Sequence, residues 1–312
     1  MKSTLSPLLE AHPYPTQKIL IPELQTFKLQ LYIKRLDMVH PKVSGNKFFK
    51  LKYNLAEAKE KGNDTLLTFG GAYSNHIQAT AAAAQSEGFK SIGIIRGEPS
   101  ISPSPTIRFA LQSGMDIQYM DRSTYRNKKS KEVTQSLTDR FGSFYMIPEG
   151  GTNSLAIKGT AEIISPEDLS MDYICSCIGT GGTLAGLIQS AMPHQKIVGI
   201  SSLKGDFVHD EMKSILQQHK VKHSNSYEIF TNYHFGGYAK HKPELIQFIM
   251  DFKKSFGIPL DPVYTGKLLY AVLDLVKKGH FKPNSNILVI HSGGLQGIRG
   301  FNERFGTSLA DH

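Results

Sequence analysis

The segment Asp172–Ala191, DYICSCIGTGGTLAGLIQSA, reads as an apolar strand, a glycine-rich turn and a helix. Tyr173 to Ile178 carry no charge, as a strand covered on both faces requires. Gly179, Gly181 and Gly182 permit a tight turn, and helical composition resumes at Thr183. The same order recurs outward along the chain. Thr65–Phe69 ends at Gly70-Gly71 and precedes the Ala-rich stretch Ser74–Glu87, with Gly88 as its C-cap. Ser91–Ile95 follows, then a loop with Pro99, Pro103 and Pro105, a helix to Ser113 and a strand over Met115–Met120. Lys196–Ser201 precedes a helix over Val208–His219, and Asn286–His291 precedes one over Gly294–Phe305. Apolar strands alternating with helices predict an α/β fold with a parallel sheet covered on both faces. Such sheets bind ligands beyond the carboxyl ends of their strands. The turns after Phe69, Ile178 and His291 are therefore the informative ones, and each carries glycines.

Bulk properties narrow the class. The chain has 312 residues, 40% hydrophobic and 20% charged, which suits two globular domains and excludes disordered and fibrous classes. No apolar run reaches the roughly 20 residues that cross a bilayer, and the first residues lack the features of a signal peptide. The two cysteines, Cys175 and Cys177, fall on one face of a strand and read as buried thiols of a reducing compartment, so a cytoplasmic location is expected. The net charge is +9, densest at Arg122, Arg126, Lys128, Lys129 and Lys131. Only Tyr125 interleaves there and no nucleic-acid motif accompanies it, so a solvated basic face is expected, with no nucleic-acid partner. His219 and His223 have helical spacing without the Glu of a zinc motif, so no metal site is expected.

Four segments carry chemistry. Ser44-Gly45-Asn46-Lys47 opens a helix with Phe48, Leu51, Leu55 and Ala58 at helical spacing. Lys47 falls in the first turn, where the helix dipole disfavours a cation and favours the neutral amine that adds to an aldehyde. A surface lysine would read the same way. In Gly70–His76 a strand ends and a helix begins at Ser74 or Asn75, serving equally as a cap or a carboxylate site. Gly179-Thr180-Gly181-Gly182-Thr183 is neither a dinucleotide fingerprint, because Leu184 stands where a glycine belongs, nor a P-loop, because Leu187 stands where a lysine belongs. A monophosphate anchor remains. His291-Ser292-Gly293-Gly294 offers a hydroxyl at a strand end, for a ring nitrogen or simply for the turn.

Together with Val263–Lys267 (VYTGK), these segments resemble, in order, the fold-type-II pyridoxal phosphate (PLP) enzymes, the tryptophan synthase β-subunit-like fold of two open, twisted, mostly parallel sheets flanked by helices. The nearest branch holds D-cysteine desulfhydrase and 1-aminocyclopropane-1-carboxylate (ACC) deaminase, and the likeness runs from about Leu31 to Phe305. It implies a larger domain of residues 1–49 and 156–312 and a smaller α/β domain of residues 50–155, in a homodimer. It implies that Lys47 carries the cofactor covalently and that Asn75 bonds its 3′-oxygen. Gly179, Thr180, Gly181, Gly182 and Thr183 would bind the phosphate, and Ser292 would approach the pyridine nitrogen. Ser74, with the N–H groups around Asn75 and His76, would hold the substrate carboxylate, with Tyr264 beside the substrate and Lys47 or Ser74 taking the α-proton. Where ACC deaminases carry a second active-site tyrosine, this chain has Val289. The expected substrate is therefore a small amino acid, D-cysteine before ACC. D-hydroxyamino-acid dehydration and a PLP-binding relative without turnover are the other readings.

Overall fold

A computed structural model describes residues 11–310. Among the described residues ten strands form two sheets. They are β1 (Thr16–Ile19), β2 (Gln30–Arg35), β3 (Thr65–Gly70), β4 (Lys90–Arg96), β5 (Met115–Met120), β6 (Tyr145–Ile147), β7 (Tyr173–Ile178), β8 (Lys196–Ser201), β9 (Ser226–Phe230) and β10 (Asn286–His291). The helices are α1 (Pro22–Thr26), α2 (Asn46–Glu60), α3 (Asn75–Glu87), α4 (Pro105–Gln112), α5 (Arg122–Arg126), α6 (Lys131–Phe141), α7 (Ser154–Thr160), α8 (Gly182–Ser190), α9 (Phe207–Gln218), α10 (Pro243–Phe256), α11 (Thr265–Lys277) and α12 (Gly297–Phe305).

The six-stranded sheet has the order β1-β2-β10-β7-β8-β9, and the four-stranded sheet the order β5-β4-β3-β6. All pairings are parallel except β1 with β2. The smaller sheet lies within residues 65–147, inside the segment expected to form the smaller domain, while α2 runs unbroken through the boundary expected at residue 50.

Each sheet is buried on both faces. In β10, Leu288 and Ile290 join one core with α2, α3 and α8, while Ile287 and Val289 join the other with α10 and α11. Cys175 and Cys177 fall together in that second core as free thiols, as their spacing in the strand requires. Phe48, Leu51, Leu55 and Ala58 form the buried stripe of α2. This burial on both sides explains why β3 and β7 hold no alternating pattern of polar residues. The turns at the carboxyl ends of both sheets meet in one cleft, Gly150 lying against Thr180 and Asn75 against Gly294.

Candidate active site

The four segments converge. The backbone N–H of Asn46 donates to the carbonyl of Ser292 (3.2 Å), and a β-carbon at Gly45 would collide with that same carbonyl. Gly45 therefore has to be glycine, both for this approach and for its φ of +66°. Across the same turn, Asn75 lies against Gly294 and Gly297. Asn46 also reaches the third segment, its Nδ2 donating to Thr183 Oγ1 (2.7 Å).

Lys47 stands at this junction, its Nζ donating to Asn46 Oδ1 (3.2 Å). The side chain keeps a partial opening to the cleft, but the protein around the amine lowers its pKa from 10.5 to about 8 by desolvation. At pH 7 about one amine in ten is then neutral, against roughly one in three thousand for an ordinary lysine.

The turn after β7 ends in a helix without a side-chain cap. Gly181 is the N-cap of α8, at φ +76°, and no side chain accepts from the first N–H groups of the helix. Each glycine admits a particular neighbour. A β-carbon at Gly179 would stand 3.1 Å from the ring of Tyr264, one at Gly181 would stand 2.6 Å from Ile215 and 2.7 Å from Met212 of α9, and one at Gly182 would crowd Thr152 and Lys50. The expected reason for these glycines was access to a ligand; close approach by the protein's own side chains adds to it.

The turn after β3 is finished differently. Ser74 Oγ accepts the N–H groups of His76 (3.2 Å) and Ile77 (3.4 Å), so the His76 N–H expected to meet a carboxylate is already engaged. The His76 ring turns into the core. Thr68 gives its hydroxyl proton to the Ile147 carbonyl and so accepts from His76 Nε2 (2.8 Å), leaving Nδ1 as a buried acceptor without a partner. Burial, then the charges of Lys47 and Lys50, push the His76 pKa well down, so the ring is neutral. The Oδ1 of Asn75 is likewise buried with no partner among the described residues.

Two residues of the cleft escaped sequence reasoning. Lys50, one turn beyond Lys47, is buried and donates to the Gly150 carbonyl (2.9 Å), Thr152 Oγ1 (3.2 Å) and Thr180 Oγ1 (3.3 Å). No carboxylate pairs with it among the described residues, and burial, then Lys47, holds its pKa well below the usual lysine range. Its signal was available: a lysine three residues from Lys47, inside the apolar stripe of α2. Tyr238 had no such signal. Its ring meets that of Tyr264 edge-on at 6.1 Å. Tyr264 is half-buried beside it, and desolvation, then Tyr238, raises its pKa well above 10, so it stays a proton donor.

The expected basic face is exposed at Arg122, Arg126, Lys129 and Lys131, but Lys128 is tied inward. Its amine pairs with Glu149 (3.0 Å) and stands 4.5 Å over the ring of Tyr125, whose hydroxyl also donates to Glu149 (3.0 Å). The pair steadies the turn Glu149–Gly151 that carries the Gly150 carbonyl to Lys50. Val289 is fully buried beside Cys175 in β10 and offers the cleft no polar group. No helix of the described residues is long and apolar enough to cross a membrane.

Comparison with known proteins identifies the family. A family profile described as "Pyridoxal-phosphate dependent enzyme" matches residues 9–293. A Pyrococcus abyssi protein named "Putative 1-aminocyclopropane-1-carboxylate deaminase" is 30% identical over 95% of this chain and 94% of its own length. The Arabidopsis thaliana mitochondrial "Bifunctional D-cysteine desulfhydrase/1-aminocyclopropane-1-carboxylate deaminase" is 30% identical over 86% of this chain and 73% of its own. A crystal structure described as an ACC deaminase homologue superposes with a TM-score of 0.80 at 29% identity, covering 95% of this chain and 94% of the other. With the family profile spanning nearly its whole length, this chain belongs to the pyridoxal-phosphate dependent enzymes, in their fold type II.

Proposed function

We propose that the enzyme eliminates the thiol of D-cysteine, giving pyruvate, ammonia and hydrogen sulfide, with PLP held on Lys47. Five features suit that cofactor. Lys47 offers an amine with a lowered pKa. The uncapped start of α8 at Gly181 to Thr183 offers N–H groups to a phosphate, with Gly179 and Thr180 completing the turn. Lys50 beside it is a buried cation-forming group whose charge an arriving phosphate would restore. Asn75 would meet the 3′-oxygen through its Nδ2, the donor end of an amide whose buried Oδ1 has no partner among the described residues. Ser292, whose hydroxyl has no hydrogen bond among the described residues, would approach the pyridine nitrogen.

When bound, PLP supplies the electron sink for the bond broken at Cα. The protein's residues do the rest. Ser74 Oγ already accepts two N–H groups, which fills its lone pairs and leaves its O–H to donate to the substrate carboxylate. Such a hydroxyl is a poor base, so Lys47 takes the α-proton. Tyr264, kept protonated, donates toward the departing sulfur with Tyr238 beside it. Water then replaces nitrogen, balancing D-cysteine and water against pyruvate, ammonia and hydrogen sulfide.

The observation that carries the choice of substrate is Val289, buried and apolar where the ACC deaminase pattern has a phenol. A thiol, with a pKa of about 8.5, leaves with little assistance, whereas opening a cyclopropane needs a proton delivered to a ring carbon. The name of the Pyrococcus abyssi relative favours a second reading, ACC deamination, while that of the Arabidopsis thaliana relative carries both activities. Pyruvate and 2-oxobutyrate release from D- and L-cysteine, serine and threonine, and from ACC, separates the two. D-cysteine is expected well above ACC in kcat/KM; ACC equal or higher would overturn the choice. A cytoplasmic homodimer belongs to the same reading, and light scattering of the holoenzyme tests its mass.

A further inference from the structure

Lys267 ends the VYTGK segment and is fully buried in α11, three residues after Tyr264. Its amine donates to the carbonyls of His234 and Gly237, each at 2.8 Å. Both belong to the loop joining β9 to α10, immediately before Tyr238. That loop is contorted: Phe235 (φ +52°), Gly236 (+99°), Gly237 (+121°) and Ala239 (+52°) all lie at positive φ. Two of these are non-glycine residues, for which such a conformation persists only where surroundings impose it. The His234 carbonyl also accepts the Gly237 N–H (3.1 Å), and the Gly237 carbonyl accepts the Lys240 N–H (3.1 Å), so each end of the turn is held twice. On its outer side Phe235 packs edge-on against Tyr270 of α11 at 4.9 Å.

We propose that Lys267 is a positioning residue that pins this turn so that Tyr238 rests on Tyr264, making the two phenols one unit of the reaction cleft. A helix that carries one phenol at its start and the clamp for the other one turn later fixes their separation without help from the sheet. The amine spends two of its three donors on the clamp, and burial lowers its pKa to about 8, so it is desolvated in order to serve there. The functional consequence rests on the proposed placement of Tyr264 at the substrate; the structural consequence does not.

The test is a double-mutant cycle on the PLP-loaded enzyme, with hydrogen exchange alongside. Lys267→Met should lower kcat/KM on the fastest amino-acid substrate about tenfold, as a misplaced group does. The fall should be in kcat more than in KM, and the cofactor's visible absorbance should not change. In a Tyr238→Phe background the same substitution should cost less than about twofold, because the group it positions is already gone. Amides of residues 235–240 should exchange faster in Lys267→Met while those of β7 and β10 hold. An equal loss in both backgrounds, or unchanged exchange over 235–240, would overturn the proposal. Lys267→Gln, which keeps N–H donors in the core, carries the same cycle if the methionine variant does not fold. A colourless or inactive wild-type enzyme would instead contradict the functional reading, and the exchange arm would still decide the clamp.

Discussion

Two glycine-rich turns, after β3 and after β7, lead from a buried strand into a helix, and they leave the helix start in different states. At α3 the side chain of Ser74 takes the N–H groups of His76 and Ile77. At α8 the N-cap is Gly181, and the side-chain cap is missing. A helix start satisfied by its own serine has little left for an anion; one without a cap presents N–H groups and the positive end of its dipole. The same grammar of strand, glycine and helix thus yields two instruments. The α8 turn suits a phosphate, and the α3 turn supplies one hydroxyl proton and one amide.

Substitution of glycine should separate the turns most widely. Valine at 181 meets a positive φ and the side chains of Met212 and Ile215. Gly181→Val should therefore cost about 2–4 kcal/mol of folding stability as well as weakening cofactor binding. Gly71, in the other turn, has open space where its β-carbon would stand, and Gly71→Ala should stay within about 0.5 kcal/mol. Denaturant titration of both holoenzymes checks the pair, and equal losses would break the comparison.

Capture of free PLP by the apoenzyme should track the neutral fraction of Lys47. Its pKa is lowered to about 8, so the rate should rise about tenfold per pH unit below that value and level off above it. Stopped-flow absorbance across pH 6 to 9.5 reads this directly; a rise that continued to pH 10 would mean an unperturbed lysine.

Tyr264 packs on Gly179, so it reports on the substrate side of the α8 turn. Tyr264→Phe should lower turnover at least about tenfold, or about 1.4 kcal/mol of transition-state stabilisation, with cofactor affinity retained. Ser74→Ala should do least to the fold, about 1 kcal/mol for the lost cap. It should raise KM for the amino acid and leave PLP affinity within about twofold, as titration of the apoenzyme would show. Loss of PLP affinity in Ser74→Ala would mean that the α3 turn holds the phosphate after all.

Much of this was legible in the amino-acid order. Buried strands ending in glycine announced both turns, and the apolar stripe of α2 placed Lys47 at a helix start. What stayed hidden depends on distant neighbours. Gly181 is constrained by α9, some thirty residues on, and Tyr238 reaches Tyr264 only through a turn of positive-φ residues clamped by Lys267. Periodicity carries no trace of either. Lys50 lies between these cases, visible as a charge inside an apolar stripe but meaningful only once Gly150 and Thr180 are brought beside it.

Three lysines now compete for one role, since Lys47, Lys50 and Lys267 all have lowered pKa values. Their engagements differ. Lys50 and Lys267 donate to backbone carbonyls that hold loops together, whereas Lys47, among the described residues, bonds only the side chain of its neighbour Asn46 and opens to the cleft. The most direct test is to reduce the yellow holoenzyme with borohydride, digest it and map the phosphopyridoxyl label by mass spectrometry. The label is expected on the peptide at Lys47 alone, and on no residue in Lys47→Ala. A label on Lys50 or Lys267 in the wild-type protein would contradict the assignment.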